Sequence, residues 1–319
     1  MKKIVVLEPG YEHYQEEKEV LAAFNPEFIV VPKSASPDER AKALLEADAL
    51  MIREAPLPLE YIALLDKCQA IVRYGVGVDN VDLKAAKEKG IYVANVPDYG
   101  SEDVAEHALA LLLASARRVT SRNSQVHAGA WNIGQAEPMF RLSGKVLGII
   151  GFGRIARCLA QKASGIGFSA LLVCDPWLTE AQAAEAGVMK VSLEHLCQQA
   201  DLISLHVPLS DKTRHLIGRE QLAMMKPTAI LVNTSRGGLI DETALYDALI
   251  EKRLFAAGLD VFEQEPVRAD HPLLNLPNVI CTDHTAWFTE ESVTELQRKA
   301  AQEVLRIFEG NKPLNWVNP

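Results

Sequence analysis

The chain has 319 residues, 48% hydrophobic and 24% charged, which suits a soluble globular chain of about two domains. A net charge of −9 with no basic tract argues against nucleic acid or an anionic membrane as partner. No apolar run approaches the roughly 20 residues of a membrane helix. Five cysteines without C-x-x-C spacing and eight scattered histidines lead us to expect reduced thiols, a cytoplasmic location and no metal.

The opening MKKIVVLEPG reaches Glu8 too soon for a signal peptide and reads as a first strand. Strands are expected at 4–7, 28–31, 49–52, 70–73 and 91–94, with helices at 12–24, 37–47, 59–67 and 83–89. Such alternation implies right-handed βαβ units and a parallel sheet. Ligands gather beyond the carboxyl ends of such strands. That draws attention to Arg53 and to the run Arg73-Tyr74-Gly75-Val76-Gly77. The segment 97–100 breaks the pattern, and Ser101 then looks like an N-cap with Glu102 and Asp103 in the first turn. The helix it opens contains ALALLLA, apolar nearly all round, so it is expected to be buried between domains or subunits. Residues 119–142, with Gly129, Trp131, Gly134 and Pro138, read as a partly irregular excursion and a candidate subunit contact.

From Lys145 the alternation resumes, with strands expected at 145–150, 170–174, 201–205, 229–233, 256–260 and 278–281. A last helix over 289–310 carries apolar residues at helical spacing and is expected to return to the first domain. The expected fold class is α/β. Two Rossmann-like or flavodoxin-like parallel-sheet domains flank a cleft: 1–98 plus 288–319, which takes substrate, and 99–287, which takes the cofactor.

Gly151-Phe152-Gly153-Arg154-Ile155-Ala156 fits G-x-G-x-x-G/A between a strand and a helix. The first glycine permits the tight turn, the second lets the backbone approach a pyrophosphate, and a small third residue lets helix and strand pack closely. The phosphates would sit at a helix N-terminus, which favours an anion. Asp175, 19 positions past Ala156, stands where an acid would hold a ribose 2′-OH. The plain alternative is a structural βα turn. The later strands are each followed by polar residues: His206 to Pro208, Asn233 to Gly238, Asp260, and Thr282 to His284.

With a nicotinamide cofactor, a carbonyl substrate needs a planar cation for its carboxylate, an acid/base near working pH, and a carboxylate to orient that acid/base. Arg236, His284 and Glu265 supply these types in strand-end loops. Taken singly, each has a plain alternative: a surface arginine, a satisfied polar histidine, a solvated acid.

The chain resembles the D-isomer-specific 2-hydroxyacid dehydrogenases over nearly its whole length. The resemblance is carried by VRYGVGVDNVDL at 72–83, LGIIGFGRIA at 147–156, LVNTSRGGLIDETAL at 231–245, LDVFEQEP at 259–266 and CTDHTAW at 281–287. It implies that Arg236 binds the carboxylate and 2-oxo group, that His284 is the acid/base and that Glu265 is its partner. It implies that Val76 and Gly77 hold the carboxylate through backbone amides. The cofactor would be NAD: Gly151, Gly153, Arg154 and Ile155 meet the pyrophosphate and Asp175 the ribose. His206, Pro208, Thr213, Thr234, Ser235 and Asp260 complete that site. Pro176 and Trp177 offer no cation for a 2′-phosphate, so NAD is expected over NADP. The implied reaction passes hydride between NAD(H) and C2 of a small 2-oxo or 2-hydroxy acid, in a cytoplasmic homodimer formed through the cofactor domain.

Three departures refine this. Formate dehydrogenases resemble the pattern with a glutamine where this chain has Glu265. The chain ends at Pro319, which we read as leaving no room for the C-terminal regulatory domain of many phosphoglycerate dehydrogenases. HTAWFTEES at 284–292 and VRYGVGVDN are similar to the C-terminal-binding-protein corepressors, which suggests that Trp287 walls the substrate pocket for an apolar or sulfur-bearing side chain and that Arg73 adds a second cation. The alternative function is therefore an NAD(H)-sensing interaction protein. As substrates, 3-phosphoglycerate, hydroxypyruvate, glyoxylate and bulkier 2-oxo acids stay open.

Overall fold

The computed structural model describes residues 1–8, 10–131 and 137–319. The chain divides into two units, Met1–Gly100 with Phe288–Pro319, and Ser101–Trp287.

In the first unit β1 (Lys3–Leu7), α1 (Gln15–Val20), β2 (Glu27–Val31), α2 (Pro37–Glu46), β3 (Ala49–Ile52), α3 (Leu59–Ala63), β4 (Ala70–Arg73), α4 (Leu83–Glu88) and β5 (Tyr92–Ala94) alternate. Every residue of β3 and β4 is buried, as short apolar runs covered on both faces should be. The sheet is parallel in the order β2-β1-β3-β4-β5, so its direction of growth reverses between β1 and β3. Local chemistry starts the helices. Ser36 and Glu39 form a capping box with Pro37 in the first turn of α2, and the Asp82 carboxylate caps α4. The stretch expected as one helix over 12–24 is a shorter α1 followed by a 3-10 turn, Ala22–Phe24, ending at a left-handed Asn25. Tyr14 offers no side-chain cap, so the helix starts late.

The C-terminal helix, Glu290–Phe308, packs on α1 and β4 through a face that includes Leu296, Ala300, Val304 and Ile307. Its Gln297 reaches into the unit, where the buried Glu17 carboxylate also accepts the Tyr74 hydroxyl at 2.7 Å. Burial pushes the Glu17 carboxyl above its usual range, against the pull of these bonds.

The second unit runs α5 (Ser101–Arg117), α6 (Val119–His127), β6 (Val146–Ile150), α7 (Arg154–Ala163), β7 (Ala170–Cys174), α8 (Glu180–Glu185), β8 (Met189–Lys190), α9 (Leu193–Gln199), β9 (Leu202–Leu205), α10 (Arg219–Met224), β10 (Ile230–Asn233), α11 (Glu242–Ile250), β11 (Ala256–Leu259) and β12 (Val279–Cys281). All seven strands are parallel, in the order β12-β11-β10-β9-β6-β7-β8, where six were expected. The extra strand is the two-residue edge strand β8. Residues 119–127, expected as part of an irregular excursion, form α6, none of whose side chains is buried. Residues 132–136 of that excursion, Gly134 among them, lie outside the described residues.

The buried side of α5, including Ala108, Leu111, Leu112 and Ala116, joins a core cluster with Leu147, Ile149, Val232 and Ala256 of the sheet. Much of the apolar character of this helix is thus used within its own unit. Register sets the functional edge. Cys174 and Leu205 both pair with Ile150, Asn233 pairs with Leu205 and Leu259, and Leu259 pairs with Cys281. Six strands therefore end level. The next residues, Gly151, Asp175, His206, Thr234, Asp260 and Thr282, come out along one carboxyl edge.

Candidate functional site

The order of the second sheet reverses between β6 and β9, the place where an open parallel sheet leaves a crevice for a ligand. Gly151 follows β6 at φ +86°, and a Cβ there would lie 2.6 Å from the His206 carbonyl oxygen. Only glycine fits that turn. Gly153, the N-cap of α7, differs: a Cβ there would meet nothing within 4 Å. Arg154 and Ile155 open the helix, and Ala156 is fully buried against the unit's core. The Asp175 carboxylate accepts the Phe152 N–H and the Trp177 N–H, each at 2.7 Å. It is thereby fixed beside the glycine loop.

After β9, the His206 N–H donates to the Ile150 carbonyl at 2.7 Å, and its Nε2 pairs with Ser204 Oγ at 2.9 Å. Its Nδ1 is buried without a partner among the described residues, and burial pushes the imidazole down to about 4. The Thr213 hydroxyl donates to the Pro208 carbonyl at 2.7 Å and so closes the turn between them. After β10, Thr234 Oγ1 is likewise buried without a partner among the described residues, while Ser235 Oγ donates to the Leu205 carbonyl at 2.8 Å. An open space at a helix N-terminus, a carboxylate at the end of β7 and two orphaned buried polar atoms fit a bound dinucleotide.

The same edge holds the ionisable trio. Nδ1 of His284 donates to Glu265 Oε2 at 2.6 Å, and Glu265 Oε1 accepts the Phe262 N–H at 2.9 Å. Burial pushes the Glu265 carboxyl up. The His284 hydrogen bond and charge, the Phe262 amide and the Arg236 charge outweigh it and hold the group below its usual value. Arg236 thus lies within electrostatic reach of the pair, and its Nη1 donates to the Ser235 carbonyl at 2.8 Å. Its loop is tightly seated, since a Cβ on Gly237 would lie 1.8 Å from the Phe262 carbonyl carbon.

His284 has φ +61°, a conformation uncommon outside glycine. Asp260, 1% exposed, imposes it. The Asp260 carboxylate accepts the Thr282 hydroxyl at 2.6 Å, the Thr285 N–H at 3.0 Å and the Ala286 N–H at 3.0 Å, while its carbonyl accepts the His284 N–H at 2.8 Å. Trp287 follows, with its indole N–H donating to the His284 carbonyl at 2.9 Å. The sequence reading missed His107 of α5, whose Nε2 is 3.0 Å from Thr282 Oγ1 and 3.7 Å from Asp260. Its only sequence signal is a histidine on an otherwise apolar helix.

In the first unit Arg73 ends β4 and is 7% exposed. Its guanidinium lies over Gly75 (φ +136°), where a Cβ would sit 1.4 Å from Nη1. It also pairs with Glu54 at 2.9 Å, a partner the sequence did not reveal. Val76 and Gly77 follow in the same loop, and the Val76 carbonyl accepts an Asn95 side-chain N–H at 2.6 Å. Among the described residues no group of three or more His, Cys, Asp or Glu could hold a metal ion, and no helix is long and apolar enough to cross a membrane. All five cysteines are free.

Residues 109–286 match the model described as D-isomer specific 2-hydroxyacid dehydrogenase, NAD binding domain. The second unit is thus an NAD-binding domain. A glyoxylate reductase of Korarchaeum cryptofilum is 42% identical over 88% of this chain and 84% of its own length. A D-3-phosphoglycerate dehydrogenase of Methanocaldococcus jannaschii is 40% identical over the whole chain, which spans 60% of that relative. The crystal structure of a D-lactate dehydrogenase from Aquifex aeolicus, complexed with NAD and lactic acid, superposes with a TM-score of 0.88 at 28% identity, covering 99% of each chain.

Proposed function

The chain belongs to the D-isomer specific 2-hydroxyacid dehydrogenase family, and from that premise we propose that it reduces a small 2-oxo acid to the D-2-hydroxy acid, and catalyses the reverse, with NAD(H). The observation that carries this reading is the 2.6 Å bond between His284 and Glu265 within reach of the Arg236 charge, on the same sheet edge as the glycine loop.

NAD, when bound, supplies or accepts the hydride at C2 of the substrate. Arg236 pairs with the substrate carboxylate and offsets the charge that develops on the 2-oxo oxygen. His284, oriented through Nδ1 by Glu265, gives its Nε2 proton to that oxygen in reduction and takes it back in oxidation. Glu265 favours the charged imidazolium that holds the proton beforehand. From the first unit the reading takes the Val76 and Gly77 amides for the carboxylate, with Arg73 beside them. Trp287, tied to His284, bounds the substrate position. Gly151, Gly153, Arg154, Ile155, His206, Pro208, Thr213, Thr234, Ser235 and Asp260 form or support the cofactor cradle. The Asp175 carboxylate, fixed by two amides, accepts ribose hydroxyls and repels a 2′-phosphate, which favours NAD over NADP.

The reading extends to a cytoplasmic homodimer. The free cysteines support the reducing compartment. The exposed apolar residues Leu113, Val119, Val126 and Trp131 along α5, α6 and the segment after them support association through the second unit.

NADH oxidation with glyoxylate, hydroxypyruvate, phosphohydroxypyruvate, pyruvate, phenylpyruvate and 4-methylthio-2-oxobutyrate tests the proposal. A kcat/KM of roughly 10⁴ M⁻¹s⁻¹ or more for one of them, lost in His284→Ala, is the expected result. Tight NADH binding with negligible turnover across the panel would overturn it.

A further inference from the structure

Glu242 opens α11, and Glu263 lies in the loop that carries Glu265. The two hold each other. The Glu263 N–H donates to Glu242 Oε1 at 2.7 Å, and the Glu242 N–H donates to Glu263 Oε1 at 3.2 Å. Each carboxylate turns its other oxygen to a histidine. His271 Nε2 lies 3.1 Å from Glu242 Oε2, and His215 Nε2 lies 3.2 Å from Glu263 Oε2. An ionised carboxylate only accepts, so His271 donates through Nε2. Like charges in one bracket repel, and the imidazole donors on the outer oxygens offset that.

The bracket reaches the loops of the ionisable trio from two sides, all within the second unit. His271 meets the Phe262 ring edge-on at 5.7 Å, and the Phe262 N–H is the group that holds Glu265. Glu263 comes next in the chain, so its bond to Glu242 fixes the peptide that joins it to Phe262. On the other side, the His215 N–H donates to the carbonyl of Gly238, two residues past Arg236, at 2.8 Å. One network thus ties the loop of Arg236 to the loop of Glu265.

We infer that Glu242 and Glu263, with His215 and His271, are positioning residues that set where the Glu265 carboxylate stands against His284 and Arg236. The inference rests on the reading of the chain as a 2-oxo acid reductase. The Phe262 amide can fix Glu265 only as firmly as Phe262 is itself fixed. A displacement of about 1 Å at a reacting group can cost about 10²-fold in rate, so a loop that carries one needs outside support. Charge-assisted bonds from carboxylates to backbone amides are stronger than neutral ones, and linked bonds reinforce one another.

The test is a double-mutant cycle in the full chain, read as kcat/KM with the 2-oxo acid of the panel that is reduced fastest. Glu242→Ala keeps the helix cap, since the Asp241 carboxylate accepts the Ala244 N–H, and removes the partner of the Glu263 amide and of His271. It should lower kcat/KM by about tenfold and leave the NADH dissociation constant within about twofold. The pH above which reduction fails should move toward acid, because a misplaced Glu265 favours the imidazolium less. Glu242→Gln keeps an acceptor for the amide and should restore most of the rate. In a Glu265→Gln background the Glu242→Ala loss should shrink to about twofold or less, because the charge it positions is gone. Glu263→Ala, on the more exposed half of the bracket, should repeat the pattern and decides the matter if Glu242→Ala does not fold. An unmoved pH limit, or an equal loss with and without the Glu265 charge, overturns the inference and leaves the reductase reading standing. No turnover of any acid in the panel overturns that reading and the inference with it.

Discussion

Nδ1 of His284 lies 2.6 Å from Oε2 of Glu265, and the other carboxylate oxygen is pinned by the Phe262 amide at 2.9 Å. The carboxylate is therefore held in place before any substrate arrives, and it fixes which imidazole nitrogen carries its proton toward the site. Glu265→Gln keeps the shape but removes the charge that favours the imidazolium. The expected result is a fall in kcat/KM of about 10²-fold or more. The pH above which reduction of the 2-oxo acid fails should also move toward acid. A pH profile of kcat/KM checks both. An unchanged profile would remove Glu265 from the mechanism.

The two glycines of the loop should fail in different ways. Gly151 has φ +86° and no room for a Cβ, so Gly151→Ala is expected to destabilise the second unit by about 2 kcal/mol or more. Gly153 faces open space, so Gly153→Val should fold normally and weaken NADH binding by about tenfold or more. Thermal unfolding and NADH titration separate the two. Equal losses of stability would contradict the assignment of the open space to the cofactor.

The strands were legible because they are short apolar runs, buried on both faces in β3, β4 and β9. The edge strand β8 was not, since it has two residues and Met189 is 58% exposed. Polar α6 buries nothing and so leaves no periodic signal. At the candidate site the glycine loop shows in local spacing, and so does the acid at the end of β7. The pairings do not. Arg73 meets Glu54 from 19 positions away and His107 meets Thr282 from 175, distances that only the sheet topology closes. The left-handed backbone of His284 was equally invisible, because the bonds that hold it come from Asp260, just past the end of β11 and 24 positions away.

In the proposed function, cofactor choice follows from Asp175. Its two oxygens each accept a backbone amide at 2.7 Å, which fixes a negative charge beside the glycine loop, and the proposal sets a ribose 2′ position against it. Asp175→Ser removes that charge and keeps a hydrogen-bonding group. The NADPH-to-NADH ratio of kcat/KM should rise by about tenfold or more. A wild type that already prefers NADPH would refute the assignment.

His206 makes the stability of the cofactor-free protein depend on pH. Burial pushes its imidazole from 6.5 to about 4, so the folded chain keeps it neutral where the unfolded chain protonates it. Between those values the unfolded state binds the extra proton, and stability therefore rises with pH. The contribution is complete above about 6.5 and is lost as the pH falls toward 4, an interval worth about 3 kcal/mol. Glu265 adds to the same trend, since a carboxyl held below its usual value loses its stabilising charge as the pH falls through its folded value. His206→Gln removes only the histidine part. Urea unfolding of the second unit at pH 7 and pH 4.5 should show a smaller acid loss in the variant than in the wild type. Parallel losses in the two proteins would show that the imidazole is not kept neutral by the fold.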